Sequence, residues 1–171
     1  MRRHSSLRAR FDYERSNLIE RLDYAPSPET LELARQVLTV APQHRGEASQ
    51  VLLDRMAAEL KVCPVKLHFK DQPQKHRRRN GRLTYKEYAY YEADGITIYN
   101  KTAVRQQYLA SKSYLDTLVH EFLHHLDHRL LGLQHTFHTQ GFYRRLADLM
   151  AKLQASGPGQ LELFEAVTRS K

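Results

Sequence analysis

The sequence predicts one α+β domain, and three observations predict it. Segments near both ends repeat apolar residues at three- and four-residue steps, the spacing of helices with one buried face. The middle, from Pro64 to Asn100, carries short strand-like runs broken by turn residues. The 171 residues, 41% of them hydrophobic, are enough for a single core. The expected order is N-terminal helices, a small and mostly antiparallel sheet, then two more helices.

Each element has its own signal. Residues 1–25 are polar and charged and read as an N-terminal extension, with a short helix hinted at by Leu18, Ile19 and Leu22. The domain proper is expected over 26–155. Ser27-Pro28 opens a helix, Ser as N-cap and Pro in the first turn. Its apolar positions are Leu31, Ala34, Val37 and Leu38. A second helix runs from Gly46 to Leu60 and should bury Val51, Leu52, Met56 and Leu60. Pro64 to Phe69 alternates as a strand with Val65, Leu67 and Phe69 inward. Cys63, just ahead of it, reads as a small core residue. Leu83 to Ala93 is a Tyr-rich strand, Asp94-Gly95 a turn signal, and Gly95 to Asn100 the next strand. Apolar residues from Leu115 to Leu131 mark the next helix, with Gly132 as its stop. Phe142, Leu146, Leu149, Met150 and Leu153 mark the last. After Ser156-Gly157-Pro158-Gly159 the tail, 156–171, reads as loose apart from a short helix around 161–167.

Several classes of protein are disfavoured at once. No run of about eighteen apolar residues is present, so no membrane span is expected. The basic start, Met1 to Arg8, has no apolar stretch behind it and does not read as a secretory signal. A single cysteine leaves no internal disulfide. The expected compartment is the cytoplasm.

The chemistry sits in the penultimate helix, as His120-Glu121-Phe122-Leu123-His124. A helix turns about 100° per residue, so His120 and His124 lie one above the other on one face. Two imidazoles so placed can hold one zinc ion, with Glu121 beside it as a base. Two histidines on a helix that is otherwise core need something to pair with.

A catalytic zinc usually takes three protein ligands and keeps one position open. His135 and His138 are the downstream candidates. If the helix runs to Leu131, its end lies about 10 Å past His124, and the chain must return by that distance. The steps from Leu131 to His138 reach roughly 23 Å, those to His135 about 13 Å. Reach favours His138, with His135 as runner-up.

H-E-x-x-H, a His fourteen positions after the second histidine, and Phe142 four residues beyond it resemble the SprT-like (Spartan) branch of the zincin metallopeptidases. The resemblance covers residues 96–153. It implies a minimal zincin-like fold, zinc ligands at His120, His124 and His138, and Glu121 as the catalytic acid/base. Thr139 stands where members commonly have Gly, and one cysteine leaves no Cys-pair zinc ribbon. The implied activity is a zinc-dependent metallopeptidase, in which a zinc-activated water attacks a peptide bond of a peptide or protein substrate. Zinc brings bound water to a pKa of about 7. Glu121 would take its proton and pass it to the leaving amine. Tyr143, Arg144, His125 and Tyr114 are near enough in sequence to stabilise the oxyanion, and the sequence does not choose among them. In such a layout the strand before the active helix lines the cleft. Ile96, Thr97, Ile98 and Tyr99 are therefore expected to present an edge to an extended peptide.

Charge is the second feature. The net charge is +8, and residues 66–86 hold eight Lys or Arg against one acid, Asp71. The excess centres on Lys75, Arg77, Arg78, Arg79 and Arg82, read as a flexible loop between strands. Such a cluster can hold the phosphates of DNA or RNA, in a salt-dependent way, with Tyr85, Tyr88, Tyr90 and Tyr91 near enough to stack on bases. The family resemblance adds DNA-dependent proteases to this expectation. Two other functions fit the same residues. One is a basic nucleic-acid-binding domain with a structural, closed His–metal site. The other is a zinc hydrolase acting on a non-peptide substrate.

Overall fold

The computed structural model describes residues 2–80, 82–92 and 95–155. Asp94 of the expected turn and the tail with its 161–167 helix lie outside them.

The first element is a long helix, α1 (Arg2–Leu18), where only a short one near Leu18 was expected. Its inward face is polar: Asp12 and Ser16 are fully buried, while Leu7, Phe11 and Leu18 are exposed. The apolar period that identifies a packed helix is therefore missing. The chain then crosses to α2 (Pro28–Thr39), burying Leu22 and Tyr24 on the way. Ser27 caps α2 as expected, accepting from the Thr30 N–H at 3.2 Å.

A 3₁₀ turn (Pro42–His44) leads into α3 (Arg45–Glu59), which buries Ser49, Leu52, Leu53, Met56 and Ala57. Val51, expected inside, is 47% exposed. It lies on the opposite side of the helix from the stripe that those residues define. Cys63 is also exposed rather than core.

Glu59 ties α3 to the α2 cap. Its carboxylate accepts from Tyr24 Oη at 2.8 Å, Thr30 Oγ1 at 2.8 Å and Arg55 Nε at 3.0 Å, and from the Ser27 hydroxyl. Burial opposes the charge, but these donors together outweigh it and hold the carboxyl at about 2. The folded-state pKa is thus below the unfolded one. The stabilisation is full above the ordinary carboxyl range and is lost as pH falls through about 2. Glu59→Gln should therefore cost on the order of 2–3 kcal/mol at neutral pH. In urea melts at a series of pH values, its deficit against the wild type should hold constant down to the ordinary carboxyl range and shrink below it. A deficit that stayed constant there too would mean that packing, not charge, is what Glu59 contributes.

The strands are β1 (Leu67–Pro73), β2 (Lys75–Arg79), β3 (Arg82–Glu87), β4 (Ala89–Glu92) and β5 (Gly95–Lys101). They form a three-stranded sheet in the order β1-β5-β4 and a separate two-stranded one, β2-β3. β5 runs parallel to β1 and antiparallel to β4, so the main sheet is mixed rather than mostly antiparallel. The expected Leu83–Ala93 strand is split at Tyr88. The basic segment is not a loop but a hairpin arm, with Lys75 opposite Glu87 and Arg79 opposite Arg82. Asn80 at its tip has φ +50°, and Asn80-Gly81 is the dipeptide that primed hairpin turns favour.

β5 is the central strand, which corrects its expected place at an edge. Ile96, Thr97, Ile98 and Tyr99 are all buried, with β1 on one side and β4 on the other. They cannot present a free edge to a substrate. β1 and β4 are the edges instead, and β4 packs beside the next helix.

That helix, α4 (Ser111–Arg129), is the centre of the core. Leu115, Leu118, Phe122, Leu123 and Leu126 are buried among Ile96, Ile98, Leu52, Met56 and Leu149. It stops short of Leu131, and Gly132 follows in the left-handed region at φ +66°, where glycine carries no Cβ penalty. The last helix, α5 (Gln140–Leu153), is capped by Thr139, whose hydroxyl accepts from the Phe142 N–H at 3.0 Å. A Cβ at Gly141 would lie 2.2 Å from the Ser16 carbonyl oxygen, so α1 packs onto the start of α5 at a distance only glycine allows. Among the described residues, no helix is long and apolar enough to cross a membrane.

Candidate metal centre

Successive turns of α4 place His120 and His124 side by side, ring centroids 5.1 Å apart. The chain leaves α4, rounds Gly132 and returns over residues 133–139. This brings His138, just ahead of the α5 cap, to the same point. Its Nε2 lies 2.9 Å from His120 Nε2 and 3.0 Å from His124 Nε2. The three nitrogens are close enough to hold a metal ion. Phe142, fully buried one turn into α5, forms the floor. Its ring centroid is 5.0, 4.7 and 5.1 Å from those of His120, His124 and His138.

The donor set fits a cation. Tetrahedral zinc with Zn–N bonds of 2.0–2.1 Å sets its ligand nitrogens about 3.3 Å apart, within a few tenths of an ångström of what is seen. Without a cation the arrangement frustrates itself. His138 Nε2 faces two other ring nitrogens, and a single proton can serve only one of them. Burial pushes His120 down to about 4, helped by His138. Burial, then repulsion from His120 and His138, pushes His124 down to about 3, and burial lowers His138 as well. Burial thus favours the neutral form of all three, the form in which an imidazole can coordinate a metal. His124 Nδ1 is buried without a hydrogen-bond partner.

Glu121 points into the same cleft as the three histidines. Burial raises its carboxyl to about 7, opposed in part by the Tyr91 backbone N–H. A cation at the triad would draw it down again. The cleft measures about 590 Å³ and is walled on one side by β4, from Ala89 to Glu92, and on the other by α4 and the return loop. His128, Arg129 and Thr136 reach it too. The sequence offered Tyr90 and Tyr91 of this wall only as base-stacking residues, because β4 reaches α4 only through tertiary packing. A second cleft of about 440 Å³ adjoins it, sharing Ala89, Tyr90, His120 and Glu121 and extending toward Tyr85 and Lys86 of the hairpin arm.

The runner-up ligand lies elsewhere. His135 Nδ1 is 3.0 Å from Asp12 Oδ2, and His135 is not part of the triad. Of the four candidate oxyanion donors, three are committed to other partners. Tyr114 is fully buried and bonded to Ser49 at 3.1 Å. His125 Nε2 is 2.8 Å from the Cys63 carbonyl oxygen. Arg144 pairs with Glu20. Tyr143 remains, its ring stacked on His138 at 5.9 Å.

On the arm, Lys75 pairs with Glu87 at 3.3 Å and Arg77 lies over the Tyr85 ring at 6.0 Å. Arg79 and Arg82 face each other across the hairpin, a like-charge pairing that a bound anion would relieve. Tyr85 and Tyr88 are exposed, whereas Tyr90 and Tyr91 are half-buried.

No protein-family model matches the chain, and no curated protein or solved structure is significantly similar to it.

Proposed function

We propose that the protein is a zinc-dependent metallopeptidase. The observation that carries the reading is the convergence of three imidazole nitrogens beside a buried carboxyl, at one wall of an open cleft. The resemblance of residues 96–153 to SprT-like zincins supports it, as does the order of helices, small sheet, motif helix and ligand helix.

Two features favour catalysis over a structural site. Among the described residues only three side chains converge to hold an ion, which would leave one position of a tetrahedral site open, and His135, the other candidate ligand, is held by Asp12. The cleft also contains an acid/base group that a closed site would not need. A peptide substrate is favoured because β4, a sheet edge, lines the cleft and can pair with an extended chain. When bound, zinc supplies Lewis-acid activation of water and of the scissile carbonyl. His120, His124 and His138 would hold the ion, with the Phe142 ring packed against all three. Glu121 accepts the proton of the attacking water on a carboxylate oxygen and returns it to the leaving amine. Tyr143, next to His138, is the remaining candidate to donate a hydrogen bond to the oxyanion. Incubating the zinc-loaded protein with an unfolded polypeptide should give new termini by mass spectrometry. Chelation should abolish them and added zinc restore them. An intact substrate throughout would return the triad to a structural role.

Contact with DNA or RNA is proposed for the hairpin arm, on its facing arginines and exposed tyrosines. Binding is expected to be weak, sequence-independent and steeply salt-dependent. Arg77→Ala/Arg78→Ala/Arg79→Ala should lower both the affinity and the salt slope in fluorescence anisotropy, with zinc content unchanged. Equal binding by this triple variant at low salt would leave the arm as a solubilising feature.

A further inference from the structure

The three histidines do not come from a preformed surface. Two ride on α4, which is anchored in the core, but His138 sits on an irregular return segment between α4 and α5. Something must stop that segment from swinging away, and the neighbours of His138 say what does. Asp12 of α1 is fully buried, and its Oδ2 accepts from the Gln134 N–H at 3.1 Å, the His135 N–H at 3.1 Å and the His135 ring at 3.0 Å. Arg8 pairs with the other oxygen at 3.1 Å. Further along, Phe137 packs edge-on against Tyr13 at 5.9 Å, and the Thr139 hydroxyl meets Ser16 Oγ at 3.1 Å. Residues 134, 135, 137 and 139 thus all face α1, while His138 faces the other way, into the triad.

We infer that Asp12 is a positioning residue for the third ligand: its carboxylate clasps the return segment so that His138 meets His120 and His124. This rests on the reading of His138 as a metal ligand. The physical case is one of entropy and burial. A free return segment would sample many conformations, and only those that present Nε2 to the other two rings complete the site. Asp12 selects them with three hydrogen bonds to a charged acceptor in a water-poor setting, where such bonds are strong. The charge itself is kept: burial opposes it, but the His135 ring and backbone, Arg8 and Gln134 outweigh that and lower the carboxyl below its ordinary value. Residues that orient a ligand typically alter metal affinity by about 10–100-fold when removed.

The test is zinc affinity, read by competition with a chromophoric chelator, for the full chain and four variants: Asp12→Ala, Asp12→Asn, His138→Ala and Asp12→Ala/His138→Ala. Asp12→Ala should bind zinc about 10–100-fold more weakly. Asp12→Asn, whose carboxamide oxygen can still accept from two backbone N–H groups, should lose less, about three- to tenfold. The double variant should bind no more weakly than His138→Ala, because the clasp acts only through that ligand. Hydrogen exchange at the Gln134 and His135 amides should quicken in Asp12→Ala. Wild-type affinity in Asp12→Ala overturns the assignment. So does a double variant weaker than His138→Ala by the full Asp12→Ala factor, which marks a general loss of structure. If Asp12→Ala does not fold, wild-type affinity in Asp12→Asn overturns it equally. Unchanged affinity in His138→Ala is a different result, since it removes the ligand reading on which the clasp depends.

Discussion

Glu121→Gln should keep its zinc and its fold and lose peptide cleavage by roughly 10²–10⁴-fold. The two side chains are nearly isosteric, so the packing around position 121 survives. Stability should survive as well, because burial already disfavours the carboxylate here and pushes it up to about 7. A neutral amide removes that penalty. What disappears is the proton acceptor, and with it the donor to the leaving amine. The measurement pairs elemental analysis with a cleavage assay on one preparation. Full zinc with little cleavage is the expected pair of results. Full cleavage would remove Glu121 from the mechanism, and loss of zinc would make it a ligand.

The metal itself should depend on three side chains and not on a fourth. Wild-type protein should carry one zinc per chain. His120→Ala, His124→Ala and His138→Ala should each lose most of it, because two imidazoles rarely hold zinc against dilution and dialysis. His135→Ala should keep it, since that ring bonds to Asp12 and stands outside the triad. The reverse result at 135 and 138 would transfer the third ligand to His135. Zinc retained by His120→Ala would end the H-E-x-x-H reading altogether. Metal loss should also lower the melting temperature of the wild type, by linkage, and leave that of the ligand variants nearly unchanged.

What was legible in the sequence was local or nearly so. The pairing of His120 and His124 needs only helical geometry. The Ser27-Pro28 cap and the Gly132 stop are single-residue signals. His138 could be preferred over His135 because chain reach is simple arithmetic. What was not legible depended on distant partners. α1 buries Asp12 and Ser16, so no apolar period betrays it; its partners lie on the far side of the chain, at Gln134, His135 and Thr139. β5 was expected at an edge because the family layout runs the strand before the active helix along the cleft. It becomes central only because β1, nearly thirty residues earlier, pairs with it in parallel. The hairpin arm was a different failure, since Asn80-Gly81 was there to be read between Lys75 and Lys86. The density of positive charge suggested a solvated loop, yet like-charged strands still pair when the turn and the cross-strand Lys75–Glu87 contact favour it.

The arm enters the main sheet at two closely spaced points. β1 ends beside Lys101, β4 begins beside Ile98, and both border β5. Crossing one strand at that offset spans about 14 Å, which roughly five residues could bridge. The chain instead uses everything from Gln74 to Tyr88. The arm is therefore more chain than closing the sheet requires, and a hairpin of another length would still let β1 and β4 reach their places beside β5. Because the arm's root adjoins the cleft, such an exchange would alter what lies beside the proposed metal site without replacing any of the three histidines. Under the proposed function, recruitment by the arm and chemistry at the triad would be separately evolvable.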